Sequence, residues 1–277
     1  MEAAIRLGAF LLIFVLVALA EWRFPKRDRT RTRKERWRIN LGILALDVIA
    51  QRLTVGAAAF AAAVLAQGRG WGLFNLLDWP FWLEALLAFL ALDLAIYLQH
   101  VASHAWAPFW RLHQVHHADL DVDLTTGIRF HPVEIVASAL WKALVVLLLG
   151  ADPWTVILFE AVLNASAVYT HGNISLPERA DRALRLLFCT PDMHRVHHSV
   201  IPRETHSNFG FFLSVWDRLF RTMRHVPERG HEGMELGLPE HRDAGRLGFV
   251  SLMRMPFRRA GPRGGEPASG RQKPASL

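Results

Sequence analysis

Residues 93–117 read DLAIYLQHVASHAWAPFWRLHQVHH, and residues 194–198 repeat the ending as HRVHH. An apolar helical run carries His100-x3-His104, and after eight intervening residues comes His113-x2-His116-His117. On a helix turning about 100° per residue, positions i, i+3 and i+4 share an arc of about 100°, so each cluster aims its imidazoles one way. Asp93, Tyr97, His100 and His104 fall at i, i+4, i+7 and i+11, a single polar stripe on that helix. With His194, His197 and His198, eight histidines lie in three aligned clusters. A lone histidine is ordinarily a hydrogen-bonded core or surface residue. Eight crowded together are unfavourable if they protonate, and a shared cation removes that cost by using their lone pairs. The pattern predicts a metal site resting on histidine. A catalytic zinc uses three protein ligands, so two ions suit the number better. Imidazole accepts iron, copper, nickel and zinc alike, and ligand type does not choose among them.

Outward from these clusters the chain is apolar. Of 277 residues 52% are hydrophobic and 21% charged, with mean hydropathy +0.17, which excludes disorder and collagen and argues against an ordinary soluble enzyme. One cysteine, Cys189, allows neither an intrachain disulfide nor a cysteine-based zinc or iron–sulfur site. A bilayer core needs about 20 apolar helical residues. Such runs occupy residues 7–20, 41–66 (interrupted by Asp47 and Arg52), 81–98 and 133–170, the last divided by Gly150-Ala151-Asp152-Pro153 into a helical hairpin. The expected fold is all-α: an integral membrane bundle of four to five membrane-embedded helices with a cytoplasmic histidine-rich helical metal domain. Residues 1–80 would hold the N-terminal transmembrane helices and a basic loop, 81–222 the metal domain, and 223–277 a cytoplasmic tail, disordered from about 258.

Net charge is +7, and residues 21–38 carry nine Lys or Arg against Glu21, Asp28 and Glu35. Beyond Trp22, Phe24 and Trp37 the loop has no aromatic interleaving, so it reads as topogenic charge near anionic lipid, not as a nucleic-acid site. The positive-inside rule puts it in the cytoplasm and all 14 histidines on the same side. Cleavage of a signal peptide after Ala18-Leu19-Ala20 would put the loop on the translocated side, so a retained helix is the better reading. The protein is then multi-pass, in the inner membrane if bacterial.

Further motifs follow in order: Trp110-x2-His113, Thr125-Thr126-Gly127-x-Arg129-Phe130-His131-Pro132-x-Glu134, His171-x-Asn173-Ile174-x-Leu176-Pro177, Thr190-Pro191-x2-His194-Arg195-Val196-His197-His198-Ser199, Asn208-Phe209-Gly210 and Trp216-Asp217-Arg218-Leu219-Phe220-x-Thr222. Over residues 85–222 this series resembles the fatty acid hydroxylase/sterol desaturase superfamily, in a bacterial-type member. The resemblance implies a membrane-bound, non-haem enzyme with two iron ions that uses O2 and two electrons to hydroxylate or desaturate a lipid C–H bond. It implies His100, His104, His113, His116, His117, His194, His197 and His198 as ligands, with His171 as a ninth. His131 is a ligand or a loop-locking residue. Asp93, Glu134, Asn173, Asp192, Asn208 and Asp217 are candidates for binding metal or orienting imidazole N–H groups. Asp192 also reads as a helix cap, Asp217 as a backbone acceptor, and Asn208 as ordering the loop over the metals. Asp119, Asp121 and Asp123 read as a solvated edge, and His206, His225, His231 and His241 as surface residues. Arg221 departs from the family pattern, which has glycine there.

Lipid should enter laterally between the third span and the hairpin. Trp106, Phe109, Trp110 and Trp141 either line that route or form an interfacial belt, the preferred reading. No Gly-rich dinucleotide fingerprint follows a predicted strand, so electrons would come from a separate carrier, a ferredoxin or b-type cytochrome with its reductase. Two other classes fit histidine clusters in a membrane protein. A metal-dependent hydrolase of a lipid amide or ester needs no O2, and a metal transporter or store would hold its ligands at mid-membrane depth.

Overall fold

Helices α1 (Glu2–Arg23) and α2 (Arg33–Thr54) flank the basic loop. The Thr32 hydroxyl accepts from Glu35 N and caps α2. Gly56, at φ +54°, ends α2, and α3 (Ala58–Arg69) continues from it. The expected second span is therefore a broken helix, because 12 residues in α3 are too few to cross a bilayer alone. The computed structural model describes residues 2–76 and 78–258.

Helix α4 (Phe81–Ala105) carries the polar stripe, and extended Trp106 separates it from α5 (Ala107–His117), which has Pro108 in its first turn. Helices α6 (Pro132–Leu149) and α7 (Pro153–Thr170) form the expected hairpin. Between them Gly150 has φ +69°, and the Asp152 carboxylate accepts from Trp154 N and Thr155 N. Arg33–Leu76, Phe81–Ala105 and Pro132–Leu149 are long and apolar enough to cross a membrane. Helix α1 packs on α7, α2 and α3 pack on α6, and α4 meets α5, α6 and α7. Leu12, Leu148 and Leu158 point outward and are more than half exposed, as side chains facing lipid should be. Among the described residues the fold is all-α, and extended segments meet only at isolated bridges.

The C-terminal ends of α1, α4 and α7 meet the N-terminal ends of α2 and α6, and the histidine-bearing segments collect at that end. Ser175 N donates to the Phe24 carbonyl, tying α1 to the segment after α7. The basic loop is much of the cement. Arg36 is fully buried; its Nε and Nη2 donate to Asp119 at 3.1 and 2.7 Å, and its Nη1 pairs with Asp123. Asp121 accepts from Thr30 N (2.9 Å) and Arg31 N (2.8 Å). Lys26 pairs with Asp192 at 3.0 Å. The solvated edge expected at Asp119, Asp121 and Asp123 is thus a buried ion network, and much of the loop's charge is spent on internal contacts. Although burial raises it, the Asp119 carboxyl is held well below the usual carboxylate range by Arg36 and Arg129.

Residues 223–258, expected as a tail, pack onto this body: Leu247, Leu252 and Met255 join Ile43 of α2 and Val115 of α5 in one apolar cluster. The disorder expected from about 258 concerns residues outside those described.

Arg36→Met should destabilise the protein by about 3–5 kcal/mol, because it leaves buried Asp123 without its cation and Asp119 with Arg129 alone. Denaturant titration of the detergent-solubilised protein measures this, and an unchanged midpoint would contradict the network's role.

Candidate metal centre

Five rings, His100, His104, His113, His117 and His197, form one group, and four, His116, His171, His194 and His198, form a second. Within each group the ligand nitrogens lie within 4.8 Å of one another, and every residue is buried. The stripe on α4 supplies His100 and His104, and α5 supplies the next three. The short helix α8 (Pro191–His197), capped by Thr190, supplies the last cluster, with His198 just beyond its end. His171 follows α7 directly. Its approach requires Gly127, where a Cβ would lie 2.4 Å from the Ala167 carbonyl oxygen and 3.2 Å from His171 Nδ1.

Hydrogen bonds fix how the rings face. His100 Nδ1 donates to the Phe209 carbonyl (2.7 Å), His197 Nδ1 to Ser207 (2.7 Å), His171 Nδ1 to Ala167 (2.6 Å) and His116 Nδ1 to Arg129 (3.3 Å). His113 Nδ1 donates to Glu134 Oε1 at 2.6 Å. These acceptors carry no proton, so in the neutral rings Nδ1 holds it and the Nε2 lone pair points inward. Nε2 of His100 then faces Nε2 of His113 at 3.1 Å, and Nε2 of His116 faces Nε2 of His171 at 3.1 Å, lone pair against lone pair. His171 Nε2 also meets Nε2 of His194 (3.0 Å) and of His198 (3.2 Å). Both nitrogens of His104 and of His117, and Nε2 of His197, are buried without a hydrogen-bond partner. Cations inside the two groups resolve both the repulsion and the orphaned atoms, so the donor set fits two metal ions.

Burial and the neighbouring imidazoles hold His116, His117, His194, His197 and His198 well below their ordinary value, and burial takes His171 to about 4. These six rings are therefore neutral near pH 7, the form that ligates metal.

Among the other candidates only Glu134 touches a ring of either group. His131 caps α6, its Nδ1 accepting from Val133 N while Nε2 donates to the Met253 carbonyl (3.3 Å), and it lies outside both groups. Asp93 accepts from Trp216 Nε1 at 2.8 Å. Asp192 pairs with Arg195 and Lys26, and the cap it was expected to form is made by Thr190 instead. Asn173 bonds the backbone of Arg27, at N through Oδ1 (3.0 Å) and at the carbonyl through Nδ2 (2.8 Å). Asp217 accepts from Phe209 N (2.8 Å) and Gly210 N (2.9 Å), holding the loop whose carbonyl orients His100. Asn208, at φ +54°, donates to Met193 and Arg224 carbonyls. Arg221 has φ +60°, a left-handed conformation that glycine enters more easily, and nothing in the structure explains the arginine. Expected at the surface, His231 is instead largely buried 3.9 Å from Asp192, a partner distant in sequence. His206 is exposed, its ring 5.4 Å from that of His104.

A cavity of about 650 Å³ opens beside the first group, bounded there by His100, His113 and Phe130. It runs among α1, α2, α4, α6 and α7 to Lys142 and Glu160, and emerges past Leu7 and Val48, which are exposed on α1 and α2. Its walls thus include α4 and both helices of the hairpin, between which lipid was expected to enter, with α1 and α2 lining it as well. Trp106, Phe109, Trp110 and Trp141 do not line the cavity; Trp106 stacks on Phe109 at 5.5 Å, with both rings exposed. Sequence patterning gave Asp47 only as an interruption and missed Lys142 and Glu160, although an ionisable residue in a membrane helix is itself a signal.

The sequence profile described as fatty acid hydroxylase matches residues 85–222. Among curated proteins, the chain is 27% identical to the ornithine lipid hydroxylase OlsE of Rhizobium tropici over 186 residues, 66% of this chain and 53% of that protein. It is 28% identical to the alkylglycerol monooxygenase of Danio rerio, over 55% of this chain and 33% of that protein. For the Homo sapiens alkylglycerol monooxygenase the figures are 29%, 51% and 31%. The chain thus spans about half the length of the first of these relatives and about a third of the others. No solved structure matches it.

His171→Ala should remove about half of the bound metal, since His171 Nε2 meets the other three rings of its group. His131→Ala should keep the metal and cost about 1 kcal/mol through the lost cap. Elemental analysis beside thermal unfolding separates the two, and equal metal loss in both variants would contradict the assignment.

Proposed function

Because the chain belongs to the fatty acid hydroxylase family, we propose that it is a membrane-bound oxygenase that hydroxylates a C–H bond of a lipid, with two iron ions held by the nine histidines. The observation that carries this reading is the set of inward Nε2 lone pairs in two buried groups beside a cavity that opens on the bundle's lipid-facing side. The names of the relatives support hydroxylation over desaturation, as one is a lipid hydroxylase and the others are monooxygenases.

Inserting one oxygen atom of O2 into a C–H bond consumes two electrons and two protons and releases one water. Iron held by the two groups supplies that reactivity when bound. The chain's own residues position and enclose. Glu134 and the carbonyls of Phe209, Ser207, Ala167 and Arg129 hold the Nδ1 protons outward and keep each Nε2 lone pair aimed inward. Burial of all nine rings keeps bulk water from the reacting position. The cavity brings lipid to His100 and His113, entering from the side of the bundle between α1 and α2.

Electrons come from a separate carrier, a ferredoxin or b-type cytochrome with its reductase, since the sequence carries no dinucleotide fingerprint. The carrier docks on the cytoplasmic side. The positive-inside rule places the basic loop there, and the histidine groups share that end of the bundle.

Incubation of the purified protein with lipid extract, reductant and isotopically heavy O2 tests the reaction class. The product alcohol should carry the heavy atom and should not form without reductant. Product oxygen derived from water, with no need for O2 or reductant, would instead mark a metal-dependent hydrolase.

A further inference from the structure

The first histidine group has more than one side. His100 and His113 border the lipid cavity, whereas His104 and His117 do not line it. Among the described residues, five rings outside the two groups touch a ring within them: Phe130, Phe209, Phe211, Trp110 and His206. Phe130 and Phe211 line the lipid cavity, and Phe209 is buried. Trp110 and His206 lie elsewhere. The Trp110 ring is 5.1 Å from His104 and 5.6 Å from His117, and His206 meets His104 edge-on at 5.4 Å and Trp110 at 6.4 Å. Trp110 is half-buried and His206 is exposed. The second group has no comparable outlet, since the rings that touch it are Phe130 and Phe211 of the cavity wall. His206 is therefore the exposed ring through which the buried centre meets the surface.

The surface beside these rings is basic. Arg111 follows Trp110 on α5, and its Nη2 donates to the Arg258 carbonyl at 2.9 Å. The turn Met255–Phe257 packs on α5, with exposed Arg254 just before it and exposed Arg258 just after. Among the described residues, none of these three guanidinium groups is paired with a carboxylate. Glu240, which with Arg258 stands near His241, offsets one of the three charges. Arg203, three residues before His206, is already paired with Glu228. The face keeps a net positive charge.

Resting on the reading of the centre as an oxygenase fed by a separate carrier, we propose that an acidic electron-carrier protein docks on Arg111, Arg254 and Arg258 and that its electrons pass through His206 and Trp110 to the ring of His104. Electron tunnelling weakens steeply with distance, so rings in van der Waals contact are the favoured way into a buried site. Each transfer oxidises the carrier by one electron and reduces one ferric ion to ferrous, and two transfers meet the demand of one turnover. Lipid and electrons then reach the first group at different rings, lipid at His100 and His113 and electrons at His104. Redox partners meet transiently through faces below about 1,200 Å², and complementary charge acts mainly by speeding and orienting the encounter, so a few unpaired arginines suffice. His206 and Trp110 are positioning residues that touch neither lipid nor metal.

The full-length, iron-loaded protein in phosphatidylcholine nanodiscs tests this without O2 or lipid substrate. The probes are two acidic carriers, a [2Fe–2S] ferredoxin and a b-type cytochrome. Two quantities are read: the dissociation constant of the oxidised carrier, and the stopped-flow rate, per bound iron, at which the reduced carrier is reoxidised. At least one carrier should bind, and its reoxidation should slow at least about tenfold between about 0.01 M and about 0.15 M salt, as the Debye length shrinks from about 30 Å to about 8 Å. Reversing two charges, Arg111→Glu with Arg258→Glu, should weaken binding about tenfold at low salt. His206→Ala should slow reoxidation at saturating carrier and leave the dissociation constant unchanged, while His206→Phe, which keeps a ring in place, should restore the rate. A face that serves only to rest on anionic lipid headgroups predicts that the arginine variants bind carrier like the wild type, because phosphatidylcholine carries no net charge. That result, failure of both carriers to bind, or an unchanged saturated rate in His206→Ala would overturn the proposal. If carrier is reoxidised through this face but no heavy oxygen enters a lipid, the oxygenase reading falls alone. If lipid is hydroxylated while the variants match the wild type, the docking face falls alone.

Discussion

Lone pairs aimed at one another are the constraint on which the rest of the structure turns. His100 and His113, and His116 and His171, present Nε2 to Nε2 at 3.1 Å while their Nδ1 protons are committed elsewhere. Such an arrangement is repulsive in a low-dielectric interior unless a cation stands among the rings. The fold therefore has to hold nine imidazoles against their own repulsion, and its less obvious features serve that end. A carboxylate and four main-chain carbonyls fix the ring orientation. Asp217 and Asn208 fix the loop that provides one of those carbonyls, and Gly127 lets the end of α7 close on the site.

The basic loop belongs to the same scheme. Arg36 bonds Asp119 and Asp123 immediately after His117, so the segment that leaves the third histidine cluster residue is anchored to α2. Lys26 bonds Asp192 inside α8, which carries the last cluster. Cations that would orient the chain in a membrane thus also brace the two segments richest in ligands. That double use accounts for an ion network buried at the edge of a membrane domain, where isolated charges would be expensive.

The helical class, the hairpin turn at Gly150 and the three-cluster geometry were legible in the sequence, because periodicity, turn residues and ligand spacing are local properties. The polar stripe of Asp93, Tyr97, His100 and His104 needed only the helical repeat. What was not legible depends on partners remote in sequence. Three alternating aspartates look solvated until Arg36 on Asp119 and Asp123, and the backbone of Thr30 and Arg31 on Asp121, more than eighty residues earlier, are seen to bury them. His131, read either as a ligand or as locking its loop, caps α6, and its second contact, to the Met253 carbonyl, is the remote one. The break at Gly56 hides in a run whose hydropathy is continuous. The assignment of nine rings to two groups also crosses motif boundaries, since His116 and His117, adjacent in sequence, belong to different groups. Adjacent residues on a helix diverge by about 100°, which lets one cluster serve two centres.

Two buried groups of imidazoles, each enclosing one iron, form the central claim. Anomalous difference maps from crystals of the full-length protein, collected above and below the iron absorption edge, test it most directly. The account predicts two iron peaks, one among His100, His104, His113, His117 and His197 and one among His116, His171, His194 and His198. A single peak, or signal only at the zinc edge after growth with ample iron, would contradict it.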